Sequence, residues 1–318
     1  MNYIFIDEIQ HCKNFEKAVD SLFIKNNCDV YITGSNAYFM SGELATVLSG
    51  RYVEIQMLPL SFKEFNLGLD EQYGNLSLKE KFNLYVNYGS FPFITKYNNF
   101  TDDSKDYLQG IFDTILNKDI ARRLNIADTV SLENVTKFLF HSIGNKISPT
   151  KIANTLKSAG KSVDQKTVDK YIKGLVDSML IYEAGRYNIK GKQFLSTQSK
   201  YYVVDVGMRN ALVKSSESDI GHILENIVYL ELKRRYKNVY VGEIDSGEVD
   251  FVSVNDNKYE YYQVSATTLD ENTLKRELAP FGKIKDNYPK YLLTLDDVFS
   301  NADYNGVQKI NVLEWLLK

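Results

Sequence analysis

Apolar and polar positions fall into four successive patterns along the 318 residues. In the first, over about residues 1–65, short apolar runs alternate with an amphipathic stretch: Tyr3 to Ile6 reads as a buried strand, Asn14 to Ile24 as a helix and Val30 to Thr33 as the next strand. That rhythm predicts a parallel α/β sheet. The first strand begins almost at Met1, so the expectation is that strands completing the sheet lie outside this chain. From about 66 to 130 the apolar positions take helical spacing, with Leu76, Leu78, Phe82, Tyr85 and Val86 in one run and Tyr107, Ile111, Phe112, Ile115 and Leu116 in another. A turn at Gly89-Ser90-Phe91-Pro92 separates them. Ser131 to Lys200 reads as short helices followed by strands, and from Tyr201 strands and helices alternate to a short strand near Val312.

Within the third pattern, Ser148 and Pro149 suit the cap and first position of a helix, and Gly160 suits the turn after it. The next helix turns Val168, Tyr171 or Ile172, Leu175 and Met179 inward, which leaves Lys166, Lys170 and Lys173 outward. Two strands with Arg186, Lys190 and Lys192 follow. Between Lys146 and Lys200 there are eleven Lys and Arg against four acids, in a chain whose net charge is −3. The layout resembles a winged helix-turn-helix. That resemblance implies duplex DNA as partner, with Lys166, Lys170 and Lys173 toward the groove and Arg186, Lys190 and Lys192 on phosphates. Such binding is sequence-tolerant and salt-dependent. The alternative is a solvated lysine face on a module that packs against the same chain, another copy or another protein.

Composition narrows the remaining classes. At 44% apolar residues the chain can fill more than one core, and the small net charge excludes both disorder and a globally basic coat. Cys12 and Cys28, with His11, His141 and His222 far apart, give neither a zinc-ligand spacing nor a disulfide framework. No apolar run is long enough to span a bilayer, and MNYIFIDE lacks a signal-peptide layout, so a cytoplasmic setting without membrane contact is expected.

Two segments carry candidate chemistry. In YIFIDEIQ, Asp7 and Glu8 stand at the C-terminal end of a parallel strand, the edge where ligands collect. Downstream come CDVYITGSNA, LSGRYVEIQMLPLSFKEF, YGSFP (Tyr88 to Pro92) and NKDIARR (Asn117 to Arg123). In this order the set resembles prokaryotic AAA-superfamily ATPases that carry a C-terminal domain of unknown function. The resemblance implies ATP and Mg2+ as cofactors, Asp7 and Glu8 as the Walker B pair with Asp7 on the metal, and Ser35 and Asn36 at sensor 1. It also implies Arg51 as an arginine finger acting on a neighbouring subunit, the alternative being a surface salt bridge to Glu54. One departure matters: no G-x-x-x-x-G-K-[ST] run occurs, so weak or absent ATP binding by this chain is expected.

The second segment, ENIVYLELKRRYKNVYVGEIDSGEVDFVSVNDNKYEYYQVSA, runs from Glu225 to Ala266 as helix, strand, strand. It resembles the PD-(D/E)XK nuclease fold, in which helix and strand acids gather magnesium for phosphodiester attack. By that resemblance Glu225 and Asp250 fill the first two acidic positions, Asp250 as a metal ligand, with Gln263 at the usual Glu and Ser265 at the usual Lys. Gln263 retains a carbonyl to offer a metal, whereas Ser265 supplies no positive charge. Lys275 or Arg276 on the following helix are the candidate substitutes. The alternative makes Glu225 a helix N-terminal carboxylate and Asp250 a turn acid beside Ser246-Gly247.

The expected α/β chain thus has a partial AAA-type parallel sheet (1–65), a helical lid or linker (66–130), a winged helix-turn-helix (131–200) and a restriction-endonuclease-like α/β domain (201–318). The expected function is that of an AAA-type ATPase family protein associated with DNA. The competing expectations are a magnesium-dependent nuclease and a non-catalytic DNA- or protein-binding adaptor.

Overall fold

The computed structural model describes residues 1–9, 12–25, 27–35, 50–96, 100–214, 216–245, 247–256 and 258–318. At the N-terminus β1 (Asn2–Ile6), α1 (Phe15–Phe23) and β2 (Cys28–Ile32) form a crossover unit whose strands pair in parallel, Asn2 opposite Cys28 and Ile6 opposite Ile32. Val19 of α1 packs on Val30 and Ile32. The other face of this small sheet exposes Tyr3, Phe5 and Tyr31, the last two with stacked rings.

A helical unit follows: α2 (Phe62–Tyr73), α3 (Leu78–Tyr88), α4 (Asp102–Thr114) and α5 (Thr129–His141). Its starts are encoded locally. Ser61 with Glu64, and Ser77 with Glu80, each make a reciprocal capping box that satisfies first-turn amides. A π-helical turn, Ile115–Ala121, extends α4 and carries most of the NKDIARR segment. Phe62, Phe65, Phe82 and Tyr85 meet edge-on in the core of α2 and α3.

The rest of the chain is organised by one sheet. Its strands are β3 (Lys146–Ile147), β4 (Ile181–Asn188), β5 (Gln193–Val203), β6 (Val239–Ile244), β7 (Gly247–Asn255), β8 (Lys258–Ser265), β9 (Lys290–Thr294), β10 (Asp303–Tyr304) and β11 (Val307–Asn311). They lie in the order β10-β11-β9-β8-β7-β6-β4-β5-β3. Between β3 and β4 stand α6 (Pro149–Ser158) and α7 (Gln165–Asp177), with Ser148 capping α6 and Pro149 at its first turn. The hairpin β4–β5 pairs onto β6, so the sheet runs through the expected boundary at residue 200.

Three further helices surround the sheet: α8 (Val206–Leu212), α9 (Ile220–Arg235) and α10 (Glu271–Leu278). Alternation along β8 serves two cores. Tyr262 and Val264 join α9 and the helical unit, whereas Tyr259 and Tyr261 join Leu274 and Leu278 of α10. The expected strand near Val312 is corrected: the strand is β11 just before it, and Val312–Leu316 is a short helix, α11. Asn311 sets the change by accepting hydrogen bonds from the amides of Leu313 and Glu314.

Candidate functional site

Three elements of the C-terminal sheet region deliver charged side chains to one point, and a fourth adds an amide. From β5 comes Lys200, from α9 Glu225, and from β7 Glu248 and Asp250; Gln263 of β8 supports Asp250 from the next strand. Lys200 Nζ lies 2.9 Å from Glu225 Oε1, 3.0 Å from Glu248 Oε1 and 3.9 Å from Asp250 Oδ1. Tyr202, two residues along β5, donates to the same Glu225 oxygen at 2.6 Å. Asp250 Oδ2 accepts from the amide of Val264 at 2.8 Å. A second tier of charge surrounds the first: Lys146 bridges Glu248 and Glu243, and Arg186 also binds Glu243. The group faces a polar cleft of about 990 Å³ whose walls include Asn145, His222, Ser265, Thr273 and Arg276.

The electrostatics follow from burial of opposite charges at contact distance. Burial alone would lower the Lys200 ammonium, but Glu225, Asp250 and Glu248 outweigh it and hold the proton well above the ordinary lysine range. Burial pushes on Glu225 too, yet Lys200 and hydrogen bonds from its neighbours keep it below the ordinary carboxylate range. Asp250 goes the other way: burial, with the charge on Glu225 beside it, raises it well above that range. Glu225, Glu248 and Asp250 thus gather around the deeply buried Lys200 ammonium, with Lys146 on the far side of Glu248, at the wall of the cleft.

The free oxygens of these acids bear on whether the residues fit a divalent cation. Asp250 Oδ1 is 3.9 Å from the ammonium and Glu225 Oε2 is 3.8 Å from His222 Nδ1, both beyond hydrogen-bond length. Among the described residues no three His, Cys, Asp or Glu side chains form a ready-made metal cage. Magnesium does not require one, because it is commonly held by one or two carboxylates with waters and substrate phosphate completing its shell. Glu225 and Asp250 therefore fit such an ion. Gln263 does not fit the ligand role expected of it: its carbonyl accepts from the Asp250 amide at 3.3 Å and its amide donates to Glu277 at 2.8 Å. It fixes Asp250 instead of offering a lone pair to a metal.

The candidate substitutes for the missing strand lysine are also placed elsewhere. Lys275 is exposed and pairs with Glu271 on its own helix, and Arg276 pairs with Glu277. Lys200 is the cation in the cluster, and sequence reasoning passed over it. The signal was a lysine heading the buried run KYYVVD, where a charge is costly unless paired. The turn and helix-terminus alternatives for the two acids are set aside by position: Asp250 lies buried within β7, and Glu225 lies buried in the second turn of α9.

Of the wing cations, Arg186 binds Glu243, the exposed Lys190 pairs with Asp245 at 2.9 Å, and the exposed Lys192 lies over the Tyr259 ring. On α7, Lys170 donates to the Leu124 carbonyl, while Lys166 and Lys173 are exposed.

At the N-terminus, Asp7 and Glu8 are exposed at the end of β1, as the parallel-edge reading places them. The Thr33 hydroxyl hydrogen-bonds to the Asp7 carboxylate and accepts from the Glu8 amide at 3.1 Å. Ser35 follows β2, half-buried, and Asn36 lies outside the described residues. Arg51 pairs with Asp20 of α1 at 2.5 Å and stands over the Phe23 ring, not with Glu54. These residues do not fit bound ATP by themselves, because the chain has no glycine-rich phosphate loop to cradle it. No step of ATP hydrolysis is derived from them.

Two family models match parts of the chain. Residues 1–66 match the AAA domain family and residues 79–219 match a domain of unknown function (DUF8612). An uncharacterized protein of Haemophilus influenzae is 40% identical over 316 residues, 99% of this chain and 78% of its own length. An uncharacterized protein of Methanocaldococcus jannaschii is 33% identical over 97% of this chain and 70% of its own length. A Walker-type ATPase of Pyrococcus abyssi aligns over 66% of this chain and 62% of its own, at 13% identity and a TM-score of 0.44. Among the described residues no helix is long and apolar enough to cross a membrane. The chain belongs to the family of these two uncharacterized proteins, with an AAA domain segment at its start and the domain of unknown function behind it.

Proposed function

We propose that the C-terminal cleft hydrolyses phosphodiester bonds of nucleic acid, with a divalent cation held by Asp250 and Glu225. The observation that carries this reading is the convergence of Glu225, Glu248, Asp250 and Lys200, from a helix and two strands, at the wall of an open polar cleft. A bound magnesium-type ion supplies positive charge beside the phosphate and acidifies water. The chain's own residues do the rest. Gln263 and the Val264 amide fix the Asp250 carboxylate, and Tyr202 fixes Glu225, so both acids are oriented before substrate arrives.

In the reaction a bond forms between phosphorus and the oxygen of water. The bond from phosphorus to the leaving ester oxygen breaks, and its electron pair stays on that oxygen. One water proton passes to the solvent in the cleft and the leaving oxygen takes one up, so a phosphomonoester and an alcohol result. We read the exposed Lys166 and Lys173 of α7 as a sequence-tolerant, salt-sensitive contact to duplex DNA.

Incubating the full chain with single-stranded and duplex DNA and RNA, with magnesium or manganese, tests the reading. Expected is metal-dependent cleavage that Glu225→Gln slows by about 100-fold or more. Absence of metal-dependent cleavage of every substrate would overturn it.

A further inference from the structure

We infer that Lys200 is the catalytic cation of this cleft, donating from its ammonium to the phosphoryl group or the attacking water; this assignment rests on the phosphodiester reading above. Hydrolysis builds negative charge on the phosphoryl oxygens, so a fixed cation must stand beside the carboxylates and face the cleft. Three Lys or Arg side chains among the described residues line it: Lys146, Lys200 and Arg276. Lys146 is held by Glu243 and Glu248, one tier away from the acids that fit a metal. Arg276 is mostly exposed and grips Glu277 through two nitrogens. Lys200 alone of the three contacts Glu225 and stands 3.9 Å from Asp250, with a side chain only 4% exposed.

Position on the sheet supports the same assignment. Lys200 sits on β5 opposite Lys146 of β3 and Ala184 of β4, two residues before Tyr202, whose hydroxyl shares Glu225 with it. The ammonium is thus anchored by a strand paired on both sides and by two acids. It has three protons to donate: one goes to Glu225, and Glu248 Oε1 lies 3.0 Å away as an ion pair. A further one remains for a phosphoryl oxygen or water. Ser265, on the cleft wall at the end of β8, follows Val264, whose amide binds Asp250. A lysine there would enter the same space from the opposite strand, which makes relocation of the charge a specific test.

The experiment compares wild type, Lys200→Met and the double variant Lys200→Met with Ser265→Lys. Each is followed by nucleic-acid cleavage, by Mn2+ titration calorimetry and by circular dichroism melting. Expected is that Lys200→Met loses about 100-fold or more in cleavage. Its Mn2+ affinity should stay within about threefold of wild type or tighten, because the neighbouring carboxylates lose a competing cation. The double variant should regain about tenfold or more of the lost rate.

A folded Lys200→Met that cleaves like wild type would overturn the assignment while leaving the phosphodiester reading intact. Joint loss of Mn2+ binding and cleavage would overturn it too, by making Lys200 a structural counter-charge. If Lys200→Met does not fold, a folded double variant without cleavage would overturn it, and one with cleavage supports it. A wild type that does not cleave any nucleic acid overturns the parent reading, whatever the variants do.

Discussion

Several buried charges here have an opposite charge at contact distance. Asp296 is a second instance away from the cleft. Its carboxylate accepts from Lys309 Nζ at 2.8 Å, from the Thr268 amide and hydroxyl, and from the Thr267 hydroxyl. Burial would raise its pKa, but those partners outweigh burial and hold it at about 2. A carboxyl depressed in the fold adds stability above its unfolded value, near 3.8, and loses it as the pH falls through about 2. At neutral pH this contribution is on the order of 2 kcal/mol. In urea unfolding, the gap between wild type and Asp296→Asn is therefore expected to narrow steadily as pH drops through that window. A gap independent of pH would contradict it.

At the residue scale the sequence carried some of this and hid the rest. Glu225 and Asp250 were named from the sequence, because the helix-strand-strand layout that carries them resembles a nuclease fold. Lys200 was not, since it lies 25 residues before Glu225 on a strand whose pairing no periodicity reports. The ion pairs of Arg186 and Lys190 were hidden for the same reason. Their partners, Glu243 and Asp245, arrive 57 and 55 residues later from β6 and the turn after it.

Among the elements, boundaries set by local chemistry were read well and lateral partners were not. The strands and helix of the N-terminal crossover fall within a few residues of their expected positions, and Ser148-Pro149 starts α6 as capping rules require. The hairpin β4–β5 was read as a separate wing, yet its strands are interior to the nine-stranded sheet. Tertiary pairing decides that, because the alternation of a strand is the same whichever sheet accepts it.

The YGSFP segment shows what such lateral contact demands. Gly89 has φ +83°, and a Cβ there would lie 2.2 Å from Asp205 Oδ1. Asp205 in turn accepts from the Ser90 amide and hydroxyl and caps α8 through Met208. Gly207 would meet the Gly89 nitrogen at 2.1 Å, so backbone packs directly on backbone. Gly89→Ala is expected to cost about 3 kcal/mol or more. Gly110→Ala, in α4 with nothing within 4 Å, is expected to stabilise by up to about 1 kcal/mol. Equal thermal melts for the two variants would contradict this packing.

For the whole molecule, the AAA domain segment and the C-terminal cleft make separate chemical demands. The first has strand-end acids but no phosphate cradle in this chain. Calorimetry with ATP and magnesium on the 318-residue chain is expected to give no submillimolar dissociation constant; one would show that the described acids suffice. The second has a complete set of buried charges and an opening to solvent. Chemistry is therefore expected at the cleft, and family membership alone does not assign it to the N-terminal acids.

The most direct measurement is a Mn2+ titration of wild type and Asp250→Asn at neutral pH, because the cleft reading stands on a divalent cation held between Asp250 and Glu225. Saturable binding by wild type that weakens by about tenfold or more in Asp250→Asn is expected. Equal binding by the two, or none by wild type, would contradict it.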